Sequence, residues 1–528
     1  MTLAQPSTPS PQAFDGPQSR SSRQFVIAAI VTLLLAIVPA VIWPGAISWM
    51  CDEPVLVAQA CYFNQAHELA NRGLAGNMGV PYGPLPTQYY QALLLVTHNL
   101  PAIVAIHAFT LSSVLAVSLL WLSRSLRLTP WFAACVVLCP YLWWGQRVLW
   151  DASFALPLGM LAVAAYASFL RTDSGKSLGL AMAAGLMGPL IHLQGLPLLL
   201  AFAGHLLLHR PSALRRHWMP VLIGVAVIFS LNAGYLHLIL QLLPSIQGIL
   251  GQGYPNPVSR ASSLSGPMLG GALLDGEYFV RAIKEMTGPG RSVEAAVLVS
   301  RIITPLIWVG MACAVVSLVR SAGRRAIPPT AEGAQPVGVD VTGARREFFR
   351  ISLVCLGLQL VMAVSLHVPP LPQYTFGTFP IHVLFGWFAI DMLQRVRLGL
   401  IVTAAWGLSL AYITLGSAWQ IHRDGWSRWL FSASLDNQIE VARELNRYSD
   451  TTVWTNVRTY KSRPTAQALQ CLRVILPPDP AMVQIRSPHG LLIRYKTSDD
   501  PNSSWIELVE KDGETPNPPE TEEMDVAP

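Results

Sequence analysis

Long apolar runs with few charges recur along the chain and limit its fold more than any other feature. A run of about 17–25 apolar residues can cross a bilayer as a helix. Within lipid only helices and closed barrels satisfy their own backbone groups. The first run, "FVIAAIVTLLLAIVPAVIW", occupies 25–43. Others lie near 101–122, 130–144, 153–171, 178–191, 195–209, 218–240, 293–320, 349–367, 374–394 and 398–417. They predict an all-α polytopic membrane protein with about eleven transmembrane helices. Only 12% of the residues are charged and 52% are hydrophobic, against about 25% charged in soluble domains. Basic residues precede the first run, as in a signal peptide. It lacks a small-residue cleavage site and more spans follow, so it reads as a retained anchor.

The stretch "LGLAMAAGLMGPLIHLQGLPLLLAFAGHLLLH" is too long for one span and is interrupted by Pro189, His192, Gln194 and Gly195. A short helical hairpin fits it, because a non-helical break at membrane depth needs protein or water around it.

Charge sets the expected orientation, since Lys and Arg collect in cytoplasmic loops. With the N-terminus inside, the inner segments are basic: Arg20 and Arg23, Arg124 and Arg127, Arg171 and Lys176, Arg210, Arg215 and Arg216, Arg320, Arg324, Arg325, Arg345 and Arg346, and Arg395 and Arg397. An odd number of spans then places Asp52, Glu53 and the chain beyond 418 outside the cytoplasm. The expected location is a bacterial inner or plasma membrane. The net charge of +6 comes largely from these loops, so it signals topology and not a nucleic-acid partner.

The expected organisation starts with a disordered cytoplasmic tail over 1–23 and a membrane domain over 24–417. That domain includes a first outer loop at 44–100, a long outer loop at 241–292 and a cytoplasmic linker at 321–348. "EPVLVAQACYFNQAHELANRG" reads as a surface helix ending at Gly73. An outer α/β domain over 418–511 rests on a helix in "SLDNQIEVARELNRYS" and strands in "TTVWTNV", "GLLIRYKT" and "SWIELVEK". Residues 512–528 read as a disordered tail. Four of the seven cysteines fall in predicted spans as small apolar residues. A Cys51–Cys61 bridge is open, because geometry decides it.

Acidic residues are scarce in the membrane half, which makes their positions informative. Asp52 and Glu53 follow the first span, and Asp151 sits in "WWGQRVLWDASF", the turn after the third. A carboxylate there can act as general base on an acceptor hydroxyl while its neighbour orients the acceptor or holds a cation. Equally, Asp52 and Glu53 suit a plain helix start, where the dipole favours negative charge. Arg147, among Trp143, Trp144 and Trp150, suits a phosphate contact or an interfacial anchor. Arg260, Arg281, Lys284 and Arg291 are further cations in the long outer loop. His192 and Gln194 are polar groups at the hairpin break that can reach a sugar. Walker loops, dinucleotide-binding glycines, zinc spacings and nucleophile elbows are all absent from the sequence.

A first span, an Asp-Glu pair opening a large outer loop, a "YGPLP" stretch and an R-x-x-x-D turn after the third span together resemble the GT-C superfamily. Within it, they are similar to protein mannosyltransferases and aminoarabinose transferases of lipid A. The resemblance covers roughly 20–420. It implies a glycosyltransferase that moves a sugar from a polyprenyl-phosphate carrier to a protein, lipid or glycan acceptor at the outer face. It further implies Asp52 as catalytic base, Glu53 as its partner, Asp151 as an acid beside the donor site, and Tyr82 on the substrate side. "HVPPLPQYTFGTFPIHVLF" resembles the turn before a late span in this superfamily, so His367, Gln373 and Tyr374 are expected to line the cavity. Gln373 stands where many relatives carry a basic residue. No cofactor is expected to be required; Asp52 and Glu53 are the candidates should Mg²⁺ or Mn²⁺ bind. Two other classes compete: a lipid or solute transporter, which would place ionisable residues mid-span within an internal repeat, and a non-catalytic membrane scaffold.

Overall fold

The computed structural model describes residues 18–47, 49, 52–74, 80–252, 274, 291–322, 341–366, 377–394, 398–424, 426–427, 432–436, 439, 483–486, 491–496 and 505–511. Its helices are α1 (Gln18–Val41), α2 (Asp52–Gln65), α3 (Leu85–Val96), α4 (Leu100–Leu126), α5 (Trp131–Val136), α6 (Pro140–Arg147), α7 (Ala152–Thr172), α8 (Gly175–Ile191), α9 (Leu196–His209), α10 (Pro211–Arg216), α11 (Trp218–Leu231), α12 (Ala233–Gln252), α13 (Arg291–Ser300), α14 (Ile303–Ala322), α15 (Val341–Ser365), α16 (Phe379–Gln394) and α17 (Leu398–Asp424).

Six described helices are long and apolar enough to cross a membrane. The count is seven if α11 and the following Ala233–Pro244, bent by 70° at Asn232, form one span. Gly175–Ile191, Leu193–His209 and Phe379–Leu393 are shorter apolar helices. The chain is an integral membrane protein, but the eleven expected spans are not equal. The third, over 130–144, is not a continuous helix. Pro140 has no N–H with which to carry the ladder across; Cys139 donates to the Val136 carbonyl instead, and α6 starts anew. The hairpin takes its expected form, with the 3₁₀ turn Leu193–Gly195 between α8 and α9. Its two limbs meet backbone to backbone, since a methyl on Gly195 would overlap the main chain of Gly188.

Several boundaries shift. The helix α1 already includes Gln18–Arg23, assigned by sequence to the tail, and α15 starts at Val341 inside the expected linker. The last span continues to Asp424, past the expected boundary at 417. The surface helix stops at Gln65, not Gly73. His67 is left-handed with φ 56°, its N–H donates to Asn64 O, and the Glu68 N–H donates to Phe63 O. This is a Schellman end built on His in place of the usual Gly. Arg127 and Asp173, with φ 50° and 51°, end α4 and α7 in the same left-handed region.

Helices α1, α4, α7 and α8 pack in sequence order, and α16 lies between α14 and α17. Their buried faces make the main apolar core, which includes Phe132, Met160, Tyr166, Phe202, Phe348, Trp387 and Trp406. A second core joins Trp49, Leu56, Tyr90, Leu149, Phe154, Ile191 and Leu435, binding α2 and α3 to the ends of α4, α7 and α8. Beyond α17 a short pair, β1 (Trp426–Ser427) and β2 (Ser432–Ala433), precedes a three-stranded antiparallel sheet. The sheet has the order β3 (Val483–Arg486), β4 (Leu491–Lys496), β5 (Trp505–Lys511). The expected strand over 451–457 and most of the helix over 434–449 lie outside the described residues, as do the long outer loop between 253 and 290 except Leu274, and both expected disordered tails apart from 18–23.

Candidate active site

Asp52 and Glu53 open α2, where the exposed N–H groups of a first turn favour negative charge. The side chain of Asp52 lies outside the described residues; that of Glu53 is buried, at 7% exposure. Asp151 caps α7, its Oδ1 accepting from the Ala152 N–H at 2.7 Å, and is 1% exposed. Carboxylates in such surroundings require donors or cations close by.

Tyr90 feels the charge of both acids. On α3 the buried positions Thr87, Tyr90, Gln91 and Leu94 form one helical stripe. Burial raises the Tyr90 phenol well above its ordinary pKa, and the nearby charges of Tyr89, Asp151 and Glu53 add to the rise. Tyr90 is therefore within electrostatic reach of both Glu53 and Asp151, which come from segments about a hundred residues apart in sequence. The Tyr90 hydroxyl also bonds His107 Nδ1 at 3.2 Å, and Phe154 packs edge-on against Tyr89, Tyr90 and His107. Gln91 holds α3 in register with the chain after α2. Its amide donates to Glu68 O and Asn64 Oδ1, and its Oε1 accepts from the Ala70 N–H at 2.8 Å.

Arg147, at the end of α6, is 1% exposed. One Nη donates to the Trp43 carbonyl at 2.6 Å, and the guanidinium lies 4.7 Å over the Trp143 ring. Trp143 in turn donates to the Pro39 carbonyl at 2.7 Å. The end of α6 thus closes the C-terminal carbonyls of α1, where cations are favoured. Nε and the other Nη of Arg147 have no hydrogen-bond partner among the described residues. Burial pulls this guanidinium down to about 9, opposed by the charge of Asp436. It remains protonated at neutral pH, and Asp436 is a charged neighbour. Expectation allowed Arg147 to be an anchor or a phosphate contact; it bonds the turn after α1 and keeps two buried donors.

His192 and Tyr82 lie together, their rings stacked at 5.1 Å. The Gly83 N–H donates to Leu190 O, and Gly73 and Leu74 pair with Tyr82, so the "YGPLP" stretch is stitched to the hairpin break. Burial lowers His192 to about 4, leaving it neutral near pH 7. Gln194 Oε1 is buried without a hydrogen-bond partner among the described residues. Gly377 lies against the Gln194 carbonyl, so the turn before α16 reaches this cluster. His367, Gln373 and Tyr374 lie outside the described residues, as do Arg260, Arg281 and Lys284. Cys61 is disulfide-bonded, and Cys51 lies outside the described residues.

Sequence reasoning missed Tyr90, His107, Gln146 and Asp436. For His107 a signal existed, since an ionisable residue within an apolar span marks a functional candidate. Gln146, whose Oε1 accepts from the Ser112 hydroxyl at 2.5 Å, was concealed by the aromatic run around it. Asp436 carries no local signal, because only tertiary folding returns it to the first outer loop. Among the described residues no group of three or more His, Cys, Asp or Glu could hold a metal ion.

The chain is similar to the crystal structure of ArnT from Cupriavidus metallidurans bound to undecaprenyl phosphate, with a TM-score of 0.50. The match spans 87% of this chain and 86% of that one, at 11% identity. The architecture is the GT-C fold. No family model and no curated protein sequence matches the chain. At this identity the likeness establishes the GT-C fold and no residue role, so roles rest on the geometry above.

Proposed function

We propose that this protein is a membrane glycosyltransferase that takes a sugar from a polyprenyl-phosphate carrier and attaches it to an acceptor hydroxyl. The observation that carries this reading is the buried and under-bonded Arg147 at the end of α6, on the side of the fold where Glu53 and Asp151 both lie within electrostatic reach of Tyr90. It is supported by the fold shared with ArnT, whose crystal structure holds undecaprenyl phosphate. In this reading Asp52 removes the acceptor proton, the acceptor oxygen attacks the anomeric carbon, and the bond from that carbon to the carrier phosphate breaks with inversion. The carrier leaves as polyprenyl phosphate, its charge met by Arg147 through the paired donors that a guanidinium offers a phosphate. Glu53 orients the acceptor, Asp151 flanks the donor sugar, and Tyr82 and His192 line the substrate side. His367, Gln373 and Tyr374 complete the cavity from the turn before α16. The reaction takes place on the outer face, with the N-terminus cytoplasmic and the β-rich C-terminal region outside. The acceptor is a protein, a lipid or a glycan.

Transfer of radiolabelled sugar from polyprenyl-phosphate donors by purified protein tests the proposal. Asp52→Asn is expected to lower transfer by about a hundredfold or more with folding intact, the size of a lost general base. Wild-type protein that binds the lipid yet transfers from no donor would sink the enzyme reading. Chelation by EDTA is expected to leave transfer unchanged; complete loss would show a required metal.

A further inference from the structure

The segment that follows the last membrane helix returns to the loop that follows the first. After β2, the Leu435 N–H donates to Ile47 O at 3.0 Å and the Asp436 N–H to Gly45 O at 3.1 Å. Leu435 and Ile439 bury their side chains in the core that holds Ile47 and Trp49. This strap puts the Asp436 carboxylate directly over Gly45, so closely that a methyl on Gly45 would overlap it. Two residues earlier, Trp43 offers its carbonyl to Arg147. Trp43 is itself left-handed, with φ 49°, and its ring stacks on His422 of α17 at 4.5 Å. A single tight turn thus bonds the buried guanidinium through the Trp43 carbonyl and lies against an exposed carboxylate at Gly45.

The arrangement has an electrostatic consequence. A carboxylate near a cation, without consuming its remaining donors, lowers the potential that an incoming anion meets at that cation. Arg147 retains two buried N–H donors, so an anion can still bond it, but against the opposing charge of Asp436.

We infer that Asp436 is a positioning residue for the carrier phosphate, its carboxylate weakening the hold of Arg147 so that the spent carrier is released. The inference rests on the assignment of Arg147 to that phosphate. It gives the C-terminal segment a part in donor affinity that an inert tether would not have.

The experiment measures equilibrium binding of radiolabelled undecaprenyl phosphate to the purified full-length protein, with uncharged undecaprenol as control, alongside donor KM and kcat. Asp436→Asn is expected to bind undecaprenyl phosphate about three- to tenfold more tightly, as removal of one opposing charge predicts. Undecaprenol binding should stay unchanged and donor KM should fall. Asp436→Glu should restore wild-type affinity. Gly45→Ala, which pushes the carboxylate aside without removing its charge, should shift phosphate binding in the same direction as Asp436→Asn. If wild type prefers the phosphate over undecaprenol and Asp436→Asn binds it equally or more weakly, the inference alone falls. If wild type shows no preference for the phosphate, the assignment of Arg147 falls and takes the inference with it.

Discussion

Three guanidinium groups at one end of the helical bundle are bonded differently from Arg147 at the other. At the end expected to face the cytoplasm, Arg210 grips Glu347 through two bonds of 2.6 and 3.2 Å. Arg345 caps α4 through the carbonyls of Leu126 and Arg127 and reaches Asp391 at 3.3 Å, while Arg216 pairs with Asp173. Each of these cations has an acidic side chain in bonding contact. At the other end Arg147 is more deeply buried, bonds one backbone carbonyl, and keeps two donors in hand. Buried donors left without partners cost stability. Arg147 therefore has bonding capacity that these three arginines have spent on acids, which is what the proposed phosphate contact requires.

Three measurements probe this contrast. Arg147→Ala is expected to weaken binding of a polyprenyl phosphate by about ten- to a hundredfold, the range for one or two charge-assisted bonds. Arg147→Lys should restore only part of the loss, since an ammonium cannot bond in the guanidinium plane. At the opposite end Glu347→Gln should leave transfer per folded molecule unchanged. It should lower the midpoint of thermal inactivation by at most about 2–4 °C, because partly exposed pairs contribute only about 1 kcal/mol. A large loss of transfer in that variant would break the contrast. The smallest effect concerns His192, held at about 4 in the folded protein against about 6.5 when unfolded. Between those values the unfolded chain takes up the proton first, so stability falls as pH drops from about 6.5 to about 4. His192→Gln should flatten that part of a plot of inactivation temperature against pH.

Much of the membrane architecture could be read from apolar run length, since lipid leaves a backbone few options. The hairpin break was legible from Pro189 and Gly195. Helix ends were less so, because His67, Arg127 and Asp173 adopt a conformation for which glycine is the usual sequence signal. The broken third span looked continuous in composition, and only the missing N–H of Pro140 marked it. In the site, Glu53 and Asp151 stood out as rare acids in an apolar chain. Their common electrostatic reach of Tyr90, and the return of Asp436 to the first loop, depend on tertiary folding that no local pattern encodes.

The backbone contact of Gly188 with Gly195 also bears on how the protein reaches its membrane. At about 1.5 Å per residue, the 17 residues of α8 and the 14 of α9 each fall short of a hydrocarbon layer of about 30 Å. Neither limb is a stable insertion unit alone. The two are therefore expected to enter the bilayer together as a closed hairpin, so that substitutions around Pro189 should lower the yield of inserted protein.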